Sequence, residues 1–311
     1  MSVQSPAAPS AAVARVLGRT TDPTRRSTRR PTRRRRPAGR LLLHVVLIAF
    51  CVTWVVPLVG LIVYSFRTSR DSATSGWWNA FTDPLFTMMN FRDALTSGGL
   101  DGALVNSVVI TVPTTIITVM VSAIGAYALA RMTFRGRIPL LLVAVALLVV
   151  PPQLTLVPLL RVFNQLGLTG EIPGIWIYQV GFVVPFGIYL LYGFFRAFPS
   201  ELLEAASLDG ASVTRTFLQV VLPTSVPILV SLAIMQFMWS WNDLLIPLLF
   251  LGGSPSTAPS TVQVASLVQA TGGGLNIVSA GALLSMIVPV VVALVLQRYF
   301  IRGILGGAVK G

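Results

Sequence analysis

Gln179, Gln236, Trp239, Trp241, Asn242 and Asp243 interrupt otherwise apolar runs in the second half of this sequence. Polar groups inside such runs are expensive and usually face an interior or a path. Amides, a carboxylate and indole faces are together the chemistry that holds a sugar, which suits Trp239, Trp241 and Asn242 in particular. Gln153 and Asn164 are further positions of the same kind. A plainer alternative stands beside this one: tryptophans collect at membrane interfaces, and Asn242-Asp243 can simply cap a helix end. A second set, Glu204-Ala205-Ala206, Asp209-Gly210-Ala211 and Leu222-Pro223, shares one charged stretch between two apolar runs. Covalent chemistry finds little support. His44 is the sole histidine, so no catalytic triad has a plausible base. The phosphate loop G-x-x-x-x-G-K-[ST] is absent, and the only lysine, Lys310, is followed by Gly311 at the chain end. Cys51 is the only cysteine, which excludes an intrachain disulfide. The chain is expected to be neither an enzyme nor a holder of metal or cofactor.

The elements that must position these residues follow from composition. Of 311 residues, 54% are hydrophobic and 11% charged, and mean hydropathy is +0.79. A soluble domain carries about 25% charged residues. The sequence therefore reads as an all-α integral membrane protein, and a soluble enzyme, a disordered regulator and a disulfide-stapled secreted domain are disfavoured. The net charge of +13 is concentrated at one end. Residues 1–40 hold eleven arginines against one acid, Asp22, among Ser, Thr, Pro and Ala, and are expected to be disordered. Such a tail fits a topogenic, lipid-facing cytoplasmic segment best, because Arg40 abuts the first apolar run. A nucleic-acid arm or an organellar transit peptide would also be basic. No aromatic residue is interleaved before Phe50, and nucleic acid is not expected as a partner.

Six transmembrane helices are expected. Uncharged stretches run between Arg40 and Arg67, Asp101 and Arg131, Arg137 and Arg161, and Glu171 and Arg196. A fifth follows Arg215 to Asp243, and a sixth runs from about Leu275 to Gln297. Each is long enough for a hydrocarbon core that takes roughly 20 helical residues. Residues 67–102 and 244–274 read as external segments, the second broken by Gly252-Gly253-Ser254-Pro255 and Gly272-Gly273-Gly274. With the tail inside, Arg131, Arg135, Arg137, Arg196, Arg215, Arg298, Arg302 and Lys310 are inside too, while the outside arginines are mixed with acids. This satisfies the positive-inside rule and makes both termini cytoplasmic. Pro57, Pro113, Pro151, Pro152, Pro158, Pro185 and Pro289 kink their helices, as a moving pathway would need.

Between the fourth and fifth spans, Pro199 and Ser200 can open a short helix that Asp209-Gly210 stops. A second helix can run from about Ser212 to Leu222 before Pro223 starts the next span. Leu202, Leu203, Ala206, Phe217, Val220 and Val221 give this helix–turn–helix its apolar faces.

The run Glu204-Ala205-Ala206-x-x-Asp209-Gly210-Ala211, followed by Leu222-Pro223, resembles the EAA motif of binding-protein-dependent ABC importer permeases. Tyr127-Ala128-Leu129-Ala130-Arg131 with Phe134-Arg135-Gly136, Trp241-Asn242-Asp243 with Pro247, and the terminal Gly307-Ala308-Val309-Lys310-Gly311 are similar to the carbohydrate, MalG-like branch. The resemblance covers about residues 41–311. It implies a MetI-like permease core over 103–302, with a coupling loop at 199–223 and a C-terminal tail at 303–311. It further implies vectorial sugar transport driven by ATP and Mg on partner subunits, in the cell membrane of a bacterium. Implied partners are a second permease subunit, two nucleotide-binding ATPase subunits, an extracytoplasmic sugar-binding protein, the sugar and membrane lipid. By the same resemblance Glu204 and Asp209 make polar docking contacts, Gly210 allows the tight turn, and Lys310 reaches the ATPase interface. Segment 252–274 would extend toward the binding protein, and Trp77, Trp78 and the stretch from Phe86 to Phe91 would pack there or lie in the interface. A permease for a non-sugar solute, or a stand-alone secondary transporter or channel, is the alternative. The latter predicts inverted repeats or chains of intramembrane ion pairs, and neither is visible.

Overall fold

A computed structural model describes residues 37–270 and 274–308, with side chains from Leu41 to Val268 and from Gly274 to Arg298. Residues 1–36 and Lys310 lie outside them. Packing divides the chain into residues 1–54 and 55–311. The first of these contributes the opening part of helix α1 (Pro37–Phe66), whose side chains from Leu41 to Trp54 are all exposed. The expected disordered tail is therefore helical over its last four residues. Pro37 explains the start, since its fixed φ and missing N–H cost nothing in a first helical turn.

The described residues from 55 onward are built mainly of helices joined by short connections. After α1 come α2 (Ser69–Thr74), a 3₁₀ turn at Trp77–Phe81, α3 (Met89–Leu95) and the long α4 (Leu100–Arg131). The chain continues with α5 (Arg137–Leu147), α6 (Pro152–Gln165) and α7 (Ile172–Arg196). A short α8 (Ser200–Leu208) precedes α9 (Val213–Thr216), a π-helical turn at Phe217–Val221, α10 (Leu222–Thr224) and α11 (Val226–Asn242). Then follow α12 (Leu245–Phe250), α13 (Ser260–Ala270) and α14 (Leu275–Ala308).

Among the described residues four helices are long and apolar enough to cross a membrane singly: Leu41–Phe66, Leu100–Arg131, Ile172–Arg196 and Leu275–Arg298. The third and fifth expected spans are not straight. α5 and α6 meet at 103°, and Val213–Thr224 meets Val226–Asn242 at 76°, so six crossings require each bent pair to count as one. The first bend lies at Val150-Pro151-Pro152, where two successive rings remove donors and force the preceding residue out of the helical region. The second lies one residue beyond Leu222-Pro223-Thr224: Ser225 takes φ −94°, ψ 3°. Its hydroxyl donates to Val221 O at 2.6 Å, beside its own N–H at 3.0 Å, which ties the bend to the preceding turn.

The core is built where α4, α7 and α11 meet. Toward the α8 end, Ala123, Ala126, Tyr127, Leu191, Phe195, Phe217, Val221 and Leu232 form one buried cluster. Ile110, Leu156, Phe163, Ile175, Tyr178 and Phe250 form a second, nearer the α12 end. α4 and α7 approach so closely at Gly187 that a Cβ there would lie 2.2 Å from Ser122 Oγ.

The expected external loops are largely folded. Residues 67–99 contain α2, the 3₁₀ turn and α3. They are tied by Asn90, whose Nδ2 donates to Ser65 O and Arg67 O and whose Oδ1 accepts from Asn276 Nδ2 on α14. Within 252–270, α13 is a packed helix rather than an extended reach. Val262 and Leu267 are buried, Asn106 Nδ2 donates to Ser256 O and Ala258 O, and Ser107 Oγ pairs with Ser260. These pairings span about 150 residues, beyond the reach of composition. Beyond Gln297, α14 runs on to Ala308, so most of the expected C-terminal tail is helix.

Candidate functional site

Glu204, Ala205, Ala206, Asp209 and Gly210 form α8 and its C-terminal turn. Pro199 sits at the N-cap and Glu201 in the first turn, where a carboxylate favours the positive end of the helix. The turn is a Schellman motif: Ala211 N donates to Ala206 O and Gly210 N to Ser207 O, both at 3.0 Å. Gly210 adopts φ +73°, which only glycine takes at no steric cost. Ser212 then caps α9, its hydroxyl accepting from Arg215 N at 3.3 Å. Ala206 is buried, and Leu203 and Leu222 pack against the Tyr127–Phe195–Phe217 cluster. Glu204, Ala205, Asp209, Gly210 and Pro223 are exposed. So α8 is anchored by one narrow apolar face, and its carboxylates stand on the other side. Leu208, which sequence reasoning passed over, is 89% exposed at the tip beside Asp209.

Arg131 locks the elbow that leads into α8. From the end of α4, its Nε donates to Phe195 O at 2.8 Å, and its Nη2 donates to Arg196 O and Phe198 O. These carbonyls lie at and just beyond the end of α7, where a guanidinium also meets the negative end of the helix. The sequence shows Arg131 as a positive-inside charge and as the end of the Tyr127–Arg131 motif, without revealing these carbonyl partners.

Toward the other end, a cavity of about 520 Å³ opens between the α5–α6 bend, the middle of α7 and the end of α11. Gln153, Gln179, Gln236, Trp239, Ser240 and Asp243 supply its polar lining, and Tyr178, Phe182 and Phe186 its aromatic faces. Ser240 Oγ donates to Gln179 Oε1 at 2.7 Å and lies 3.3 Å from Thr111 Oγ1. Gln179 Nε2 in turn donates to Asp243 Oδ2 at 3.2 Å. Asp243 Oδ1 accepts from Ile246 N at 3.2 Å, so the carboxyl caps α12 and faces the cavity at once. Gln236 is 1% exposed, and its Oε1 has no partner. Gln236, Ser240 and Asp243 follow at i, i+4 and i+7, the spacing of one helix face, and that period would have revealed Ser240.

Four of the six sequence-selected path residues, Gln179, Gln236, Trp239 and Asp243, therefore line one cavity. Trp241 and Asn242 do not. Trp241 is buried against α14, its Nε1 donating to Ser285 O at 3.1 Å, and Asn242 Nδ2 donates to Met238 O of its own helix. Of the two further candidates, Gln153 lines the cavity, whereas Asn164 pairs with Thr169. The described residues hold no cluster of His, Cys, Asp or Glu able to bind a metal.

Residues 32–306 match the family described as the binding-protein-dependent transport system inner membrane component. The chain is 44% identical over 275 residues to the osmoprotective compounds uptake permease protein GgtD of Synechocystis sp., covering 87% of this chain and 92% of that one. It is 41% identical to the alpha-glucoside transport system permease protein AglG of Rhizobium meliloti, over 79% of this chain and 68% of that one. With the trehalose transport system permease protein SugB of Mycobacterium tuberculosis it shares 35% identity, over 72% and 82% respectively. In fold it is similar to a chain from the crystal structure of a bacterial ABC transporter involved in the import of the acidic polysaccharide alginate. The TM-score there is 0.75 at 19% identity, covering 85% of this chain and 96% of that chain. A transmembrane bundle of this fold, with an exposed Glu204–Gly210 turn and a family match over most of its length, belongs to the family of binding-protein-dependent transport system inner membrane components.

Proposed function

We propose that this chain is a permease subunit of an ATP-driven sugar importer and that α8 with its Gly210 turn is the loop through which a separate ATPase drives it. The observation that carries this reading is the division of α8 into a buried Ala206 side and a side presenting Glu204, Leu208 and Asp209. A short helix held only by Ala206 and Leu203 at the end of a bundle is built to be gripped and displaced. ATP and Mg act on two nucleotide-binding subunits, which receive α8 in a cleft. A second permease completes the pathway, and an extracytoplasmic binding protein delivers the solute. Both termini are cytoplasmic in the cell membrane, and Lys310 reaches the ATPase interface. Two of the relatives above are named for α-glucoside and trehalose transport, which supports a sugar as cargo. Gln179, Gln236, Trp239 and Asp243 lie on the path of that solute.

Reconstitution tests the reading directly. Uptake of a disaccharide into proteoliposomes is expected only when this chain, its partner permease, the ATPase subunits, the binding protein and ATP are all present. Uptake by this chain alone, without nucleotide, would show a stand-alone transporter instead. A thermal-shift screen of the cognate binding protein against disaccharides and polyols identifies the solute.

A further inference from the structure

We propose that the cavity between α5–α6, α7 and α11 accepts an uncharged polyhydroxy solute and turns away anionic ones, with Asp243 setting this selectivity. The proposal deepens the importer reading by naming the class of cargo. Among the lining residues there is no Lys, Arg or His, and Asp243 is the only carboxylic acid. Both of its oxygens accept N–H donors, from Gln179 Nε2 and Ile246 N, which is the pattern of an ionised carboxylate. A carboxylate carries about four acceptor sites, and with the Leu245 backbone also near it, capacity for a further O–H donor remains. Gln236 Oε1, buried and without a partner, is another acceptor waiting for a donor. The polar wall is thus rich in unfilled acceptors around one negative charge. Solute hydroxyls supply O–H donors to such a wall. A uronate or phosphorylated sugar brings further acceptors and a like charge into a site with no cation to balance it. Phe186 and Trp239, with rings 5.3 Å apart, offer the apolar surface on which the C–H face of a pyranose packs.

The test uses the assembled importer, with cysteine-free partner subunits and Cys51→Ser in this chain. Val183→Cys is introduced on the cavity wall, where it leaves every polar lining residue in place. Its modification rate is measured with a cationic (trimethylammonioethyl) and an anionic (sulfonatoethyl) methanethiosulfonate. The cation-to-anion rate ratio is expected to fall at least tenfold when Asp243→Asn is added, and an unchanged ratio overturns the proposal. Should Asp243→Asn fail to assemble, Gln236→Asp adds a second carboxylate and is expected to raise the ratio; no rise overturns the proposal equally. In a second arm, p-nitrophenyl α-glucoside is expected to slow labelling of Val183→Cys while p-nitrophenyl α-glucuronide does not. Equal protection by the two overturns the proposal. The rate ratio needs no transport, so anion exclusion stands or falls apart from the importer reading, which fails separately if no sugar uptake depends on ATP.

Discussion

Two residues near α8 do different physical work, and their variants should separate. Arg131 offers one guanidinium to three carbonyls at the end of α7. Charge-assisted hydrogen bonds contribute about 1.5–3 kcal/mol each, and here they also hold the chain direction that enters Pro199 and α8. Arg131→Ala is expected to lower the melting temperature of the purified complex and to raise ATP hydrolysed per solute imported. Arg131→Lys, a point charge without the fork, should recover part of the stability and little of the coupling. Gly210 is a purely conformational case, since a Cβ there would meet nothing within 4 Å. Gly210→Ala costs about 1 kcal/mol for the left-handed backbone alone, Gly210→Asn should cost less, and Gly210→Pro more than either because φ +73° lies far from the proline range. The stoichiometry of ATP to solute, measured in proteoliposomes, should worsen in the order Asn, Ala, Pro. Unchanged coupling in Gly210→Pro would remove α8 from the drive train.

At the scale of elements, helix identity was legible and helix direction was not. An uncharged run such as 103–130 can only be a span, and Asp209-Gly210 can only end a helix cleanly, so α4 and α8 follow from local chemistry. Hydropathy is blind to the 103° turn at Pro151-Pro152 and the 76° turn at Ser225, because the two arms of each bend together read as one apolar stretch. The same blindness split the candidate site. Gln179, Gln236, Trp239 and Asp243 share a cavity that exists only because α5 and α6 fold back beside α7 and α11, whereas Trp241, two residues from Trp239, is turned onto α14. α13 was missed because its hold depends on Ser107, Asn106 and Gly98, far away in sequence. The contact of α4 with α7 yields its own prediction. Gly187→Ala drives a Cβ to 2.2 Å from Ser122 Oγ and 2.6 Å from its Cβ. The variant should therefore melt lower than the parent complex. Ser122→Gly, which removes both atoms, should restore most of that loss even though glycine itself costs about 1 kcal/mol in a helix. Ser122→Ala, which leaves the Cβ, should restore less.

For the whole molecule, the charge excess concerns orientation. Eleven of the 23 basic residues precede Leu41, so the tail dominates the net charge of +13. Yet the connections that would share its side are also arginine-rich, with Arg131, Arg135 and Arg137 in one and Arg196 and Arg215 in the next. The opposite connections mix Arg67, Arg70, Arg92 and Arg161 with Asp71, Asp83, Asp93, Asp101 and Glu171. Orientation follows the bias in Lys and Arg over short loops rather than total charge. The bundle therefore carries its own instruction, and the tail repeats it. In a Cys51→Ser background, Thr214→Cys beside the α8 turn and Pro255→Cys before α13 report the two sides. Impermeant maleimide is expected to label Pro255→Cys in intact spheroplasts and Thr214→Cys only after permeabilisation. Deleting residues 2–36 should leave that pattern unchanged, because the remaining loops still carry the asymmetry. A reversed or mixed pattern after the deletion would mean that the tail alone orients the chain, and that the arginines around α8 serve docking and the Arg131 elbow without directing insertion.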